Sequence, residues 1–241
     1  MLTSLFITGA NTNVGKTIAT RALLQSLNDN SSSAIGYKPI IKTKFQETSV
    51  LDEINKFTST ISQSSPISLT ANEINPVIIQ NSHEKELVID FNQINKKITI
   101  LKQKANYILI EGCGGWRHLV NSQTFYSDWV IQQEMPVILV VGIQPGCINH
   151  AVLTAHAIIQ DGVSLVGWIA NRINPGLTCY AQIINRLQCH IPAPKLGEIP
   201  YLLRPEERDL SEYMDKKLIK NIIREAANTK ERVHPMSPLI I

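Results

Sequence analysis

Short runs of aliphatic and β-branched residues recur along the chain, separated by stretches whose apolar positions return every three or four residues. The clearest runs are Leu5-Phe6-Ile7-Thr8, Tyr107-Ile108-Leu109-Ile110, Val137-Ile138-Leu139-Val140-Val141 and Leu165-Val166-Gly167-Trp168-Ile169-Ala170. Each is apolar throughout rather than alternating, which predicts strands covered on both faces. Ala34–Tyr37 reads as a further short strand. Between the runs the spacing predicts helices over Lys16–Leu27, Ser127–Glu134, Asn149–Gln160 and Cys179–Leu187, with Asn149 in the N-cap position of the third. Strand and helix alternating in steps of about 30 residues mean βαβ units. The predicted fold is α/β: a mostly parallel sheet with helices on both faces, in one domain over residues 1–241.

Two regions break this rhythm. From Phe45 to Asn106 the chain is rich in Ser, Asn, Gln, Thr and Lys, and reads as an irregular insertion of short helices and loops between two core strands. After the charged segment Pro205–Asp209, a helix is expected to about Ala227, followed by a polar tail over 228–241.

Composition narrows the partners. With 23 basic against 20 acidic residues, the net charge of +3 makes no case for a nucleic-acid partner, which needs a clustered basic face. The longest apolar run, Pro136 to Val141, falls far short of the roughly 20 residues of a membrane span. The opening MLTSLFITGA reads as a strand entering a glycine loop rather than as a secretory leader. Cys113, Cys147, Cys179 and Cys189 show no C-x-x-C spacing, and read as reduced cysteines packed as small hydrophobes in a cytoplasmic protein.

The sharpest chemical signal is Gly9-Ala-Asn-Thr-Asn-Val-Gly15-Lys16-Thr17, placed after the first strand and opening the first helix. Glycine lets consecutive N–H groups turn into one concavity, and the helix N-terminus adds partial positive charge. Lys16 is placed to reach β- and γ-phosphates, and Thr17 to offer its hydroxyl to a Mg²⁺ bridging them. Five residues rather than the usual four separate Gly9 from Gly15. The fold expectation becomes that of a P-loop NTPase-type, Rossmann-like domain.

Four more segments then follow in order: Gly36-Tyr37-Lys38-Pro39, Glu111-Gly112-Cys113-Gly114-Gly115-Trp116, Gly146-Cys147-Ile148-Asn149-His150-Ala151 and Gly197-Glu198-Ile199-Pro200. With the phosphate loop, they resemble the dethiobiotin synthetase family over roughly residues 3 to 203. That resemblance implies a homodimer with its active site near the subunit interface. Its substrates would be 7,8-diaminopelargonate, CO₂ and ATP, with Mg²⁺ as cofactor. One amine is carboxylated to a carbamate, the γ-phosphate is transferred to it, and the second amine closes the ureido ring.

Such chemistry gathers negative charge and calls for lysines, backbone donors and a metal rather than a nucleophile. Lys16 and Lys38 are the expected catalytic lysines. Asn13, Val14, Gly15, Thr17 and Ile18 would line the phosphates, with Gly112, Cys113 and Gly114 as a second glycine-rich turn beside them. Cys113 reads as filler, because no His or Asn partner is placed by sequence. Thr17, Asp52 and Glu111 are the expected metal ligands. Asn171 and Arg172, with Ile199, Pro200 and Tyr201, would form the base pocket. Lys42, Gly146, Cys147 and Asn149 would face substrate, although a simple helix cap equally explains Gly146–Asn149. His150 reads as structural.

The chain departs from the family pattern at three places: Lys42 where a Ser is usual, Arg172 where an Asp is usual, and Arg117-His118-Leu119 in place of a mainly apolar stretch. They leave open a divergent P-loop ligase acting on a related amine or carboxylate. A P-loop switch protein that dimerises on DNA or membrane is a third reading. It is disfavoured because Ala10–Val14 lacks the second lysine such proteins commonly carry.

Overall fold

The computed structural model describes residues 3–43, 57, 77–80 and 89–232. The apolar runs become strands β1 (Thr3–Gly9), β2 (Ala34–Tyr37), β5 (Tyr107–Gly115), β6 (Val137–Gly142), β7 (Leu165–Asn171) and β8 (Lys195–Ile199). They form one parallel sheet of six strands in the order β2-β5-β1-β6-β7-β8. Helices α1 (Lys16–Leu27), α2 (Phe91–Lys102), α3 (Tyr126–Gln132), α4 (Cys147–Gln160), α5 (Tyr180–His190) and α6 (Lys216–Arg232) supply the crossovers and cover the faces.

Side-chain alternation divides the core between the two faces. Leu5, Ile7, Leu109, Ile138, Val140 and Ile169 face one way and pack with Leu23 and Leu27 of α1 and Ile219 and Ile223 of α6. Phe6, Ile108 and Ile110 face the other way, against Ile94 and Ile98 of α2 and Trp129 of α3. Leu139, Val141 and Trp168 extend that second face beneath α4 and α5. Fully burying an aliphatic or aromatic side chain contributes about 1.5–3 kcal/mol, so both layers are needed to offset chain entropy. The Phe6 ring meets Tyr126 edge-on at 5.2 Å, and Phe91 stacks on Trp129 at 5.5 Å, which pins α2 and α3 to the sheet.

Several boundaries differ from the expectation, each for a local reason. Strand β5 does not stop before the glycines but runs through them to Gly115, with a shift in its pairing to β1 between Ile7 and Gly9. Helix α4 starts at Cys147, capped by Gly146 at φ 81°, so Asn149 lies inside the helix rather than at its N-cap. Within 45–106, α2 is a regular helix whose Asp90 side chain accepts from Asn92 N–H. There too, β4 (Val77–Gln80) pairs in parallel with β3 (Ile40–Thr43), which directly follows β2. Helix α6 continues past Ala227 to Arg232. All four cysteines are free thiols, but only Cys113 and Cys147 are buried; Cys179 and Cys189 are exposed and do not act as core filler.

Candidate active site

At the carboxyl edge of the sheet, β1 delivers the phosphate loop between β5 and β6, where the direction of strand addition reverses; ligands of open α/β sheets bind at such crevices. The loop is tightly wound. Asn13 has φ 57° and Gly15 φ 85°, both left-handed. A Cβ on Gly9 would lie 2.6 Å from the Asn11 carbonyl oxygen, and one on Gly15 only 2.0 Å from Asn171 Nδ2. No side chain caps α1, and its first internal bond runs from Ala19 N–H to Gly15 O at 3.0 Å. The earlier N–H groups of its first turn are oriented as anion donors.

Beside the loop, two strands contribute the charged groups. Glu111 projects from β5 opposite Ile7 and is only 1% exposed. Its Oε1 accepts the Thr17 hydroxyl at 2.8 Å and lies 3.1 Å from Lys38 Nζ. Its Oε2 lies 3.3 Å from the Thr20 hydroxyl, which also reaches Lys16 O at 2.9 Å. Lys38 follows β2 and also sits 5.6 Å above the Phe57 ring. Lys16 Nζ donates to Gly114 O at 2.8 Å. Burial pulls the Lys16 ammonium below its ordinary value, against the opposing pull of Glu111, while nearby Lys38 lowers it further.

These groups suit a hard divalent cation beside phosphate. A buried carboxylate and a hydroxyl share one oxygen-rich point, and Mg²⁺ takes one or two carboxylates with phosphate and water completing its shell. Among the described residues no cluster of three His, Cys, Asp or Glu offers a competing metal site. Asp52, the other expected ligand, lies outside the described residues. Lys42 lies on β3.

The remaining candidates lie around this centre in distinct environments. Gly112 packs so closely on Phe6 that a Cβ would come within 2.6 Å of its ring, and Gly114 has φ 69°. Cys113 is buried between them. Ile18, in the first turn of α1, is partly buried and packs its side chain against the core. Asn171, at the end of β7, donates its amide to Val14 O at 3.0 Å and so braces the phosphate loop. Arg172 lies 4.7 Å over the Tyr180 ring and donates to Pro175 O at 3.0 Å. Ile199 is buried at the end of β8, Pro200 is half-buried and Tyr201 is 45% exposed. Gly146, Cys147 and Asn149 border a separate cavity of about 550 Å³ between α4 and α5, lined by Pro145, Ile148, Val152 and Ile183 and by none of the residues Gly9–Thr17. Arg117, grouped by sequence with the substrate-facing departures, instead pairs with Asp161 at 2.6 Å and lies over Phe125.

A sheet-edge phosphate loop, an unscreened helix N-terminus and a lysine–carboxylate–threonine centre define a P-loop nucleotide-binding enzyme. The protein-family model described as "AAA domain" matches residues 3–208. The chain is 50% identical to the ATP-dependent dethiobiotin synthetase BioD 2 of Yersinia pestis, over 89% of this chain and 97% of that one. It is 42% identical to the enzyme of the same name from Escherichia coli, over 92% and 97% of the two chains. The chain belongs to the ATP-dependent dethiobiotin synthetase family. Solved structures share the fold at much lower identity. The MinC:MinD cell division complex of Aquifex aeolicus matches at 14% identity and a TM-score of 0.55, over 98% of this chain and 99% of that one. A ParA family ATPase of Chlorobium tepidum gives 14% and 0.52, over 94% and 99%.

Proposed function

We propose that the protein is the ATP-dependent carbon–nitrogen ligase that closes the ureido ring of dethiobiotin in biotin biosynthesis. The observation that carries this reading is the meeting of Thr17 and Lys38 on one oxygen of Glu111. It sets a second lysine beside the phosphate loop, where a carbamate would receive a phosphoryl group.

In this reading Lys16 and the N–H groups of the first turn of α1 hold the triphosphate of ATP, the co-substrate. Thr17 and Glu111, with Asp52, would hold Mg²⁺, which would screen the negative charge of the triphosphate. One amine of 7,8-diaminopelargonate attacks CO₂ and loses a proton, forming a carbamate. Lys38 holds the carbamate oxygen in line with the γ-phosphate and balances the charge that grows during transfer. ADP departs, the second amine attacks the carbamoyl carbon, and inorganic phosphate leaves as the ring closes. Asn171 braces the loop while Arg172, Pro200 and Tyr201 flank the base. The N-terminus of α4, with Gly146, Cys147 and Asn149, receives the distal carboxylate. A homodimer with the active site near its interface and a cytoplasmic location complete the proposal. No described helix is long and apolar enough to cross a membrane, which is compatible with it.

The test is to supply diaminopelargonate, bicarbonate, Mg²⁺ and ATP and to assay dethiobiotin together with ADP. Stoichiometric product and ADP are expected. ATP binding without dethiobiotin would leave a nucleotide site and remove the substrate assignment.

A further inference from the structure

Helix α1 carries an arginine where its core-facing side calls for an apolar residue. Arg21 is only 4% exposed, although Ala22, Leu23 and Leu24 beside it are fully buried hydrophobics. Burying a guanidinium gives no stability advantage over a well-packed apolar side chain, so its directional bonds become informative. Two of them meet at one acceptor. Arg21 Nε and Nη2 donate to the Arg208 carbonyl oxygen at 3.3 and 3.1 Å, and Gln25 Nε2, one turn further along, donates to it at 3.1 Å. The amide oxygen of Gln25 accepts Leu210 N–H at 2.8 Å. Asp209 and Glu206 supply the balancing charge, and Leu210 is fully buried in the core under α1.

The segment held this way begins at the far side of the nucleotide site. Its first anchor is the end of β8, where Ile199 pairs with Asn171 and its carbonyl accepts Arg172 N–H at 2.9 Å. Its second is the Arg21–Gln25 clamp at 208–210. Between the anchors lie Pro200, Tyr201 and a short turn in which Arg204 has φ 51° and Arg208 Nε reaches Leu203 O at 3.3 Å. The helix that presents Lys16 to phosphate therefore also holds the segment carrying Pro200 and Tyr201, with the clamp roughly 8–14 Å further along its axis at 1.5 Å per residue.

We infer that Arg21 and Gln25 are positioning residues for nucleobase recognition, setting the 200–210 segment at a fixed distance from the phosphate loop. The inference rests on the reading that Pro200 and Tyr201 flank the base. Neither residue belongs to the phosphate loop or to the first turn of α1, so the clamp should bear on the base-carrying part of the ligand.

The experiment compares binding of ATP and of inorganic tripolyphosphate, each with Mg²⁺, by calorimetry in the full chain. Gln25→Leu and Arg21→Met each remove two bonds of the network and should weaken ATP about tenfold or more, while tripolyphosphate changes less than twofold. Gln25→Glu keeps the acceptor for Leu210 N–H but loses the donor to Arg208, and should fall between wild type and Gln25→Leu. Arg21→Lys, which keeps a single donor, should recover part of the loss. Equal weakening of both ligands, or a lower melting temperature with an unchanged affinity ratio in the soluble Gln25→Leu protein, would overturn the inference. Tyr201→Ala separates the two layers. If it shifts the ratio and Gln25→Leu does not, the clamp alone is wrong; if it leaves the ratio unchanged, the base-pocket reading fails with it.

Discussion

The ammonium of Lys38 lies 3.1 Å from Glu111 Oε1, the same oxygen that accepts the Thr17 hydroxyl at 2.8 Å. Glu111 is buried while Lys38 remains slightly open to solvent, so the pair can exchange partners as anionic ligands enter. Replacing Lys38 with Ala should lower kcat for dethiobiotin formation by about 10²–10³, the usual scale for one lost electrostatic donor, with little change in ATP affinity. Parallel loss of ATP binding would contradict a role confined to carbamate and phosphoryl transfer.

Glu111→Gln keeps the shape of the side chain and removes its charge. Affinity for Mn²⁺ in the presence of a non-hydrolysable ATP analogue, followed by electron paramagnetic resonance, should fall tenfold or more. Metal-free nucleotide binding should persist, because Lys16 and the first turn of α1 are untouched. Unchanged Mn²⁺ affinity would remove Glu111 from the ligand set.

Gly15→Ala meets two obstacles at once. Its φ of 85° costs an L-residue about 1–2 kcal/mol, and the new methyl would strike the Asn171 amide that braces Val14. ATP affinity should drop sharply while the circular dichroism spectrum stays that of the wild type. Asn171→Ala, which frees the Val14 carbonyl without the strain, should show a smaller loss of the same kind.

Asp161, just past the end of α4, accepts Trp116 Nε1–H and an Arg117 N–H, each at 2.6 Å. Asp161→Ala leaves the indole N–H of a buried Trp116 without its acceptor, at about 1–3 kcal/mol, whereas the half-exposed arginine partner adds little. The melting temperature should fall accordingly. A variant as stable as wild type would show that this link between the β5 exit and α4 is replaceable by water.

Burial pushes the Tyr37 phenol up to about 12. Since the folded value exceeds the ordinary 10.0, the neutral form is favoured by the fold; that contribution is intact below pH 10 and is lost as pH rises toward 12. Urea midpoints measured from pH 9 to 12 should fall more steeply for wild type than for Tyr37→Phe. Identical slopes would mean that Tyr37 does not contribute to the alkaline loss.

How much was legible in advance depended on the range of each interaction. Apolar runs marked β2, β6 and β7 to within one residue and the centre of β1, because strands covered on both faces need no polar alternation. The extension of β5 through Gly112–Gly115 was hidden, since glycines in a strand read as a turn. The N-terminus of α4 was misplaced by two residues because Asn149 resembles a cap, while the cap is a left-handed glycine with no side-chain signal. Nothing in the local sequence marks Arg21 as buried.

By itself the sequence determined the strand–helix alternation, the phosphate loop and membership of the synthetase family, because these rest on spacing within a few residues or on whole-chain similarity. The tertiary structure decided which groups meet. Parallel pairing of β1 with β5 brings Glu111 to Thr17 from 94 positions away, and pairing of β2 with the same strand adds Lys38. Packing of the 208–210 segment on α1 sets Arg21 against a carbonyl 187 positions distant. Such contacts depend on register and layer packing, whose energies are summed over the whole core and are not written in any one stretch of chain.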